Sequence, residues 1–315
     1  MSPTAESEFV SPRQVRRNFA RAAAHYDANA LLQAEIASRM LERLDYVRIE
    51  PEHIVDLGCG TGNALAALSA RYPKSTLLGA DLSEAMLGVA RAKNLKPSLT
   101  QQLLRLLRLP GSAERKPLPQ LLAADANLLP LKSASTGLLW SNLMLHWLDE
   151  PQAALREIHR VLAVGGLFMF STFGPDTLKE LRASFNDGGV HTQRFADLHD
   201  IGDMLVANGF ADPVMDMEVL TLTYDSLDKL FSDLRQTGSG CAMQARRPGL
   251  MGRRTWQTML ERYAQSAQQE KDGKQQDGKQ RFPASFEIVY GHAWKAERQK
   301  SEDGRAIIRF QPKPL

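Results

Sequence analysis

The stretch Asp56-Leu57-Gly58-Cys59-Gly60-Thr61-Gly62 decides how the rest of the chain is read. Before it runs Ile54-Val55-Asp56-Leu57, a short apolar segment that opens after Pro51 and is stopped by the glycines. Such a run reads as a strand buried on both faces. A helical stretch from Asn63 to Arg71 comes next. Glycines between a strand and a helix let the backbone approach a ligand closely, and the helix N-terminus behind them offers free N–H groups. Several nucleotide folds share a G-x-G-x-G turn, and a tight turn with no ligand is the plainer alternative.

Spacing narrows the choice. A dinucleotide fingerprint, G-x-G-x-x-G, needs its third glycine at position 63. Asn63 stands there, and the glycine falls one residue early, at Gly62. Asp56 lies two residues before the turn, where it can meet an ammonium and would repel a pyrophosphate. A ligand made of an amino acid and a nucleoside fits this pattern better.

Working outward, strands are expected at 77–80, 121–124, 138–141 and 167–172, with helices at 84–92 and from Pro151 to Leu162. Alternating strands and helices imply a doubly wound, mostly parallel α/β sheet, Rossmann-like, with helices on both faces. Asp81 ends the second strand, where an acid can accept hydrogen bonds from both ribose hydroxyls; capping the next helix with Ser83 is the alternative. Asp125 and Ala126 follow the third strand, where the carboxylate can meet an adenine amino group or cap a turn. Asn142 follows the fourth, at the crevice beside the first strand where ligands of open α/β sheets bind. His146 beyond it reads equally as a packed side chain or a catalytic one.

The second half is less regular. Helices are expected at 175–186, 197–208 (closed by Gly209), 226–236 and 253–266, and strands at 214–224 and 285–294. Residues 95–120 and 266–281 read as insertions, the latter a polar, flexible loop. Four segments follow: an N-terminal helical lid (1–50), a ligand-binding core (51–172), the remainder of the same domain with substrate-covering helices (173–295), and a tail (296–315).

With 43% hydrophobic and 24% charged residues, the 315-residue chain suits a globular protein with a large core. Lys plus Arg number 39 against 36 Asp plus Glu, a balance that does not announce nucleic acid. Cys59 and Cys241 cannot make a disulfide scaffold, and neither has a metal-type partner nearby in sequence. No apolar run spans a bilayer and no secretory signal opens the chain, so the cytoplasm is expected.

In combination, DLGCGTG, Asp81-Leu82-Ser83 with Met86, Asp125-Ala126 before LPL (129–131), WSNLMLHW (140–147) and HRVLAVGG (159–166) resemble the class I methyltransferase family over residues 54–172. The resemblance implies S-adenosylmethionine as methyl donor, bound by Asp56, Gly58, Cys59, Gly60, Gly62, Asp81, Leu82, Met86, Asp125, Ala126 and Asn142. Beyond that core, NFARAAAHYD (18–27), FSTFGPDTLKELR (170–182), RFADLHDIGDML (194–205), LRQTGSG with Arg246, and FPASFEIVYGHAW (282–294) resemble the malonyl-acyl-carrier-protein O-methyltransferase family of biotin synthesis. Gln236 and Thr237 depart from it, since a lysine is common before those glycines.

This second resemblance implies that a malonyl group on acyl carrier protein is methylated on its free carboxylate by a monomer that needs neither nucleic acid nor membrane. No general base is required, because a carboxylate with a reference pKa of about 4 is ionised at neutral pH. The resemblance gives Arg246 to the substrate carboxylate and Tyr26 to the lid over the methyl donor. The arginines at 246–254 would greet an acidic carrier electrostatically. The GPDTLKELR phrase is also similar to a mitochondrial complex I assembly factor thought to hydroxylate an arginine, which supplies the alternative activity.

Overall fold

The computed structural model describes residues 9–94, 118–247, 249–269 and 281–297. The elements are α1 (Pro12–Ala22), α2 (Tyr26–Asn29), α3 (Leu31–Arg43), β1 (His53–Leu57), α4 (Leu65–Arg71), β2 (Thr76–Asp81) and α5 (Glu84–Asn94). Then follow β3 (Gln120–Ala123), β4 (Thr136–Asn142), α6 (Pro151–Val161), β5 (Leu162–Phe173), α7 (Lys179–Ser184) and α8 (Leu198–Ala207). The chain closes with β6 (Ala211–Tyr224), α9 (Leu227–Gln236), α10 (Arg253–Gln269) and β7 (Phe282–Trp294).

One seven-stranded sheet runs in the order β3-β2-β1-β4-β5-β7-β6. The first five strands pair in parallel; β7 is antiparallel to β5, and β6 to β7. Strand periodicity divides the core into two layers. Leu138 and Trp140 of β4 join a cluster with Ile36, Met40, Met169 and Tyr263. Leu139, between them, joins Val55, Phe168, Leu155 and Ile158 on the opposite face. The edge strand β6 alternates between half-buried and exposed positions along most of its length. β7, inside the sheet, is buried almost continuously.

Local chemistry starts the helices. Ser11 caps α1, its side chain accepting from the Gln14 N–H, with Pro12 in the first turn. Pro151 opens α6, which turns Ala154, Leu155, Ile158 and Val161 toward the sheet. The helix expected at 175–186 is shortened to Lys179–Ser184. Glu287 of β7 is the reason: its backbone carbonyl accepts from the Gly174 N–H and its carboxylate accepts from the Asp176 N–H at 2.7 Å. Leu178, at φ 54°, completes that turn before the helix can begin. The expectations for 95–120, 266–281 and the tail lie largely outside the described residues.

Candidate active site

β1 delivers the chain into the glycine turn beside the end of β2. The Gly58 and Cys59 N–H groups donate to the Ala80 carbonyl at 2.8 and 3.1 Å, which locks the turn onto the neighbouring strand. Gly58, Gly60 and Gly62 all have positive φ, a region open to glycine at little cost. Asp81 then spans two loops. One carboxylate oxygen accepts from the Gly60 N–H at 2.8 Å, the other from the Ser83 N–H at 2.7 Å.

A cavity opens over this turn. Among its walls are Tyr26, Gly58, Gly60, Asp81, Leu82, Met86, Asp125, Ala126 and Asn142, all expected from the sequence. Four other expected residues stand off the wall. Asp56 is buried in β1 beneath the turn. Cys59 packs its sulfur against Gly79, and burial, with Asp56 and Asp81 nearby, pushes its thiol up. Gly62 lets Leu65 and Ala90 close in beside it. Arg246 donates to Gln14 Oε1 at 2.8 Å and so ties its loop to α1, with no place on this wall.

The N-terminal segment covers the cavity. Val15, Arg16 and Phe19 of α1 line it together with Tyr26. Phe19 meets the Trp147 ring edge-on at 5.3 Å and lies over Gly238, where a Cβ would stand 2.8 Å from the Phe19 ring. Asn18 Nδ2 donates to the Gly240 carbonyl, so the 237–240 loop and α1 hold each other. Asp27 fastens this lid to the glycine turn: it accepts from Thr61 Oγ1 at 2.6 Å and pairs with Lys93 at 2.5 Å. Burial works against its charge, but hydrogen bonds from Lys93 and Thr61 hold its carboxyl below the usual range. Asp27 and Phe19 both sit in the NFARAAAHYD segment, the signal that could have marked them.

Asn142 is fixed at both ends, its amide donating to the Gln33 carbonyl at 3.1 Å and its oxygen accepting from Ser171 at 2.7 Å. Leu143, at φ 54°, then swings the chain into the turn carrying His146. His146 is buried among Trp147, Phe173 and Phe195, with Nδ1 3.1 Å from Thr172 Oγ1. Burial pushes its imidazole down to about 3, so the ring is neutral at physiological pH. A second cavity of about 890 Å³ shares Gln33, His146, Trp147, Phe173, Thr237 and Ser239 with the first.

Electrostatics point to the kind of ligand. Burial, then the charge of Asp81, pushes the Asp56 carboxyl up to about 8, and nothing among the described residues offsets that charge. Burial likewise raises Asp81, opposed by the Ser83 and Gly60 N–H groups. Tyr26 is raised by burial, then by Asp81 and Asp27, and its hydroxyl stays protonated. Two acids beside a glycine turn suit an ammonium and a ribose, and disfavour a pyrophosphate. S-adenosylmethionine carries both, and the residues present fit it.

Asp56 makes this fit pH-dependent. Below about pH 8 the buried Asp56 carboxyl keeps its proton. An ammonium held beside Asp56 would favour the carboxylate, so a ligand gripped there would bind with loss of that proton and gain affinity up to about pH 8. Calorimetry with S-adenosylhomocysteine should show several-fold tighter binding at about pH 7.5 than at about pH 6, with net proton release. Asp56→Asn should flatten the slope; a parent protein with pH-independent affinity would contradict the assignment.

Fold and site together define a class I methyltransferase that uses S-adenosylmethionine. The methyltransferase-domain family matches residues 55–170. The YcgJ protein of Bacillus subtilis shares the fold at a TM-score of 0.55 and 16% identity, with 84% of this chain and 99% of that one covered. A malonyl-[acyl-carrier protein] O-methyltransferase of Laribacter hongkongensis is 45% identical over 98% of each chain. Its counterpart in Gallionella capsiferriformans is 42% identical over 96% of this chain and 98% of that one. The chain belongs to the malonyl-[acyl-carrier protein] O-methyltransferase family. The arginine-hydroxylase alternative is not favoured by these relatives, whose likeness extends through lid and core alike.

Proposed function

We propose that the chain methylates the free carboxylate of malonyl-acyl carrier protein, giving the malonyl methyl ester that begins pimeloyl assembly for biotin. The observation that carries this reading is a likeness to carboxyl methyltransferases that runs the whole chain, including the lid and the 237–246 loop around both cavities. When bound, S-adenosylmethionine supplies a sulfonium methyl group that a carboxylate oxygen takes by displacement, leaving S-adenosylhomocysteine. The protein's part is to bind, align and keep water out. Holding two reactants in line can lower a barrier by roughly 7–11 kcal/mol, so no strong acid or base is needed.

Roles divide along the chain. Residues 1–50 act as the lid, 51–172 hold the cofactor, 173–295 cover the substrate, and 296–315 are a tail. Asp56 takes the ammonium, Asp81 the ribose and Asp125 the adenine edge. Gly58, Cys59, Gly60 and Gly62 shape the turn, and Leu82, Met86, Ala126 and Asn142 complete the walls. Tyr26 closes over the reacting centre. Arg246 is the partner of the malonyl carboxylate in the sequence reading, and its guanidinium donates to Gln14 of α1.

The carrier itself is the partner, and the lid carries a surface for it. α1 contributes Arg13, Arg16, Arg17 and Arg21, all exposed and with no acidic residue in the helix. Arg247, Arg253 and Arg254 are exposed as well. An acidic carrier would be steered toward such a face. Among the described residues no helix is long and apolar enough to cross a membrane. A cytoplasmic monomer acting on a soluble carrier fits this reading.

Incubation with methyl-labelled S-adenosylmethionine and malonyl-acyl carrier protein tests it. Label that appears on the carrier and is released by mild base is the expected result. Cofactor binding with no transfer to the malonyl carrier would overturn it.

A further inference from the structure

Five buried side-chain atoms among the described residues have no hydrogen-bond partner: Gln33 Oε1, Asn127 Oδ1, Trp140 Nε1, His146 Nε2 and Gln193 Nε2. Gln33, His146 and Gln193 all belong to the wall of the second cavity. Buried polar atoms are nearly always paired, and three orphans around one void ask for a polar occupant. The void, at about 890 Å³, has the size of a small-molecule site and adjoins the cofactor cavity, with His146 in the wall of both.

The Ala242 N–H fixes the chemistry of one of these atoms, and a donating Thr172 hydroxyl sets that of a second. The Ala242 N–H, which can only donate, lies 2.8 Å from the other end of the Gln193 amide, so that end is oxygen and the orphan is an N–H donor. Gln193 is 6% exposed. His146, 8% exposed, has its Nδ1 against the Thr172 hydroxyl; with that hydroxyl donating, Nε2 carries the proton. Of the arginines on the wall, Arg39 is engaged by Glu35 and Glu218, and Arg235 is exposed.

We propose that the second cavity is the acyl-thioester site, and that Gln193 and His146 are the neutral donors that hold the malonyl oxygens, with His146 at the junction presenting the carboxylate to the cofactor cavity. Neutral donors suit this task. A guanidinium clamped on the nucleophilic oxygens would hold back the electron pair that attacks the methyl group, whereas N–H groups orient it. Neither donor is acidic enough to protonate a carboxylate. The inference rests on the carboxyl-methylation reading and adds the residues that choose the acceptor.

Gln193→Glu tests the first donor, because it keeps an oxygen for the Ala242 N–H and replaces the amide N–H with negative charge. Its affinity for a malonyl thioester of N-acetylcysteamine should fall by about tenfold or more, while S-adenosylhomocysteine affinity stays within about twofold. His146→Phe should raise the KM for the same thioester by a similar factor, and His146→Gln, which restores an N–H, should recover most of it. If the parent protein transfers methyl to the malonyl carrier yet either Gln193→Glu or His146→Phe handles the thioester within about twofold of it, the role of that residue is overturned. If the parent transfers no methyl at all, the carboxyl-methylation reading fails instead.

Discussion

Asp81→Ala should weaken S-adenosylhomocysteine binding by about 100-fold or more, or roughly 3 kcal/mol. The carboxylate faces the cavity at the tip of β2, where it is the natural acceptor for two ribose hydroxyls. Hydrogen bonds to an ionised group contribute about 1.5–3 kcal/mol each, so losing a pair accounts for the effect. The same carboxylate also binds the Gly60 and Ser83 N–H groups, and the truncation leaves the turn itself less defined. Asp81→Asn separates the two contributions: one amide oxygen can still accept from a backbone N–H while the charge is gone. Calorimetry on parent, Ala and Asn proteins should rank affinity in that order with Asn between. An Ala variant that binds as the parent does would remove Asp81 from the site.

Gly58→Ala and Gly60→Ala should fail in different ways. Both glycines have positive φ, 78° and 53°, so each substitution costs about 1 kcal/mol in backbone strain. At Gly58 the new Cβ would lie 2.6 Å from Met144 Cγ and 2.7 Å from its Cβ, contacts no side chain makes without movement of the 143–147 turn. Overpacking adds about 1–3 kcal/mol, for a melting-temperature loss on the order of 5–10 °C. At Gly60 the methyl meets only Met86 Cε, at 3.8 Å, and projects into free space. Gly60→Ala should therefore fold with a melting temperature close to the parent and lose cofactor affinity instead. Equal melting temperatures for the two variants would contradict the packing described around Met144.

The first half of the fold was legible because its signals are local. A buried strand, a glycine turn and a following helix repeat along the parallel sheet, and Asp81, Asp125 and Asn142 fall at strand ends by the same rule. The 175–186 segment shows where locality ends. Pro175 and Asp176 look like the first turn of a helix, yet Glu287, more than a hundred residues on, captures the Asp176 N–H and delays the helix to Lys179. No propensity at 175–178 reveals a carboxylate arriving from β7.

The site divided in the same way. Residues lining the first cavity at the turn are tied to a motif, whereas Gln193 and His146 acquire their meaning from a cavity assembled by α3, α7, β6, α9 and the loops around them. His146 carries two readings in the sequence, and no local pattern shows that it is buried with an unpartnered Nε2. Arg246 is marked only by its place in a matched segment, and no local pattern shows that its guanidinium donates to Gln14 of the lid helix.

The grip of the glycine turn and its two acids on a sulfonium nucleoside is most directly tested by parallel titration with S-adenosylhomocysteine and with NAD. Saturable one-to-one binding of the first, lost in Asp81→Ala, with no heat from the second, is the predicted result. Saturable binding of NAD that S-adenosylhomocysteine displaces would mean that the loop accepts a pyrophosphate, and would contradict the assignment of this cavity.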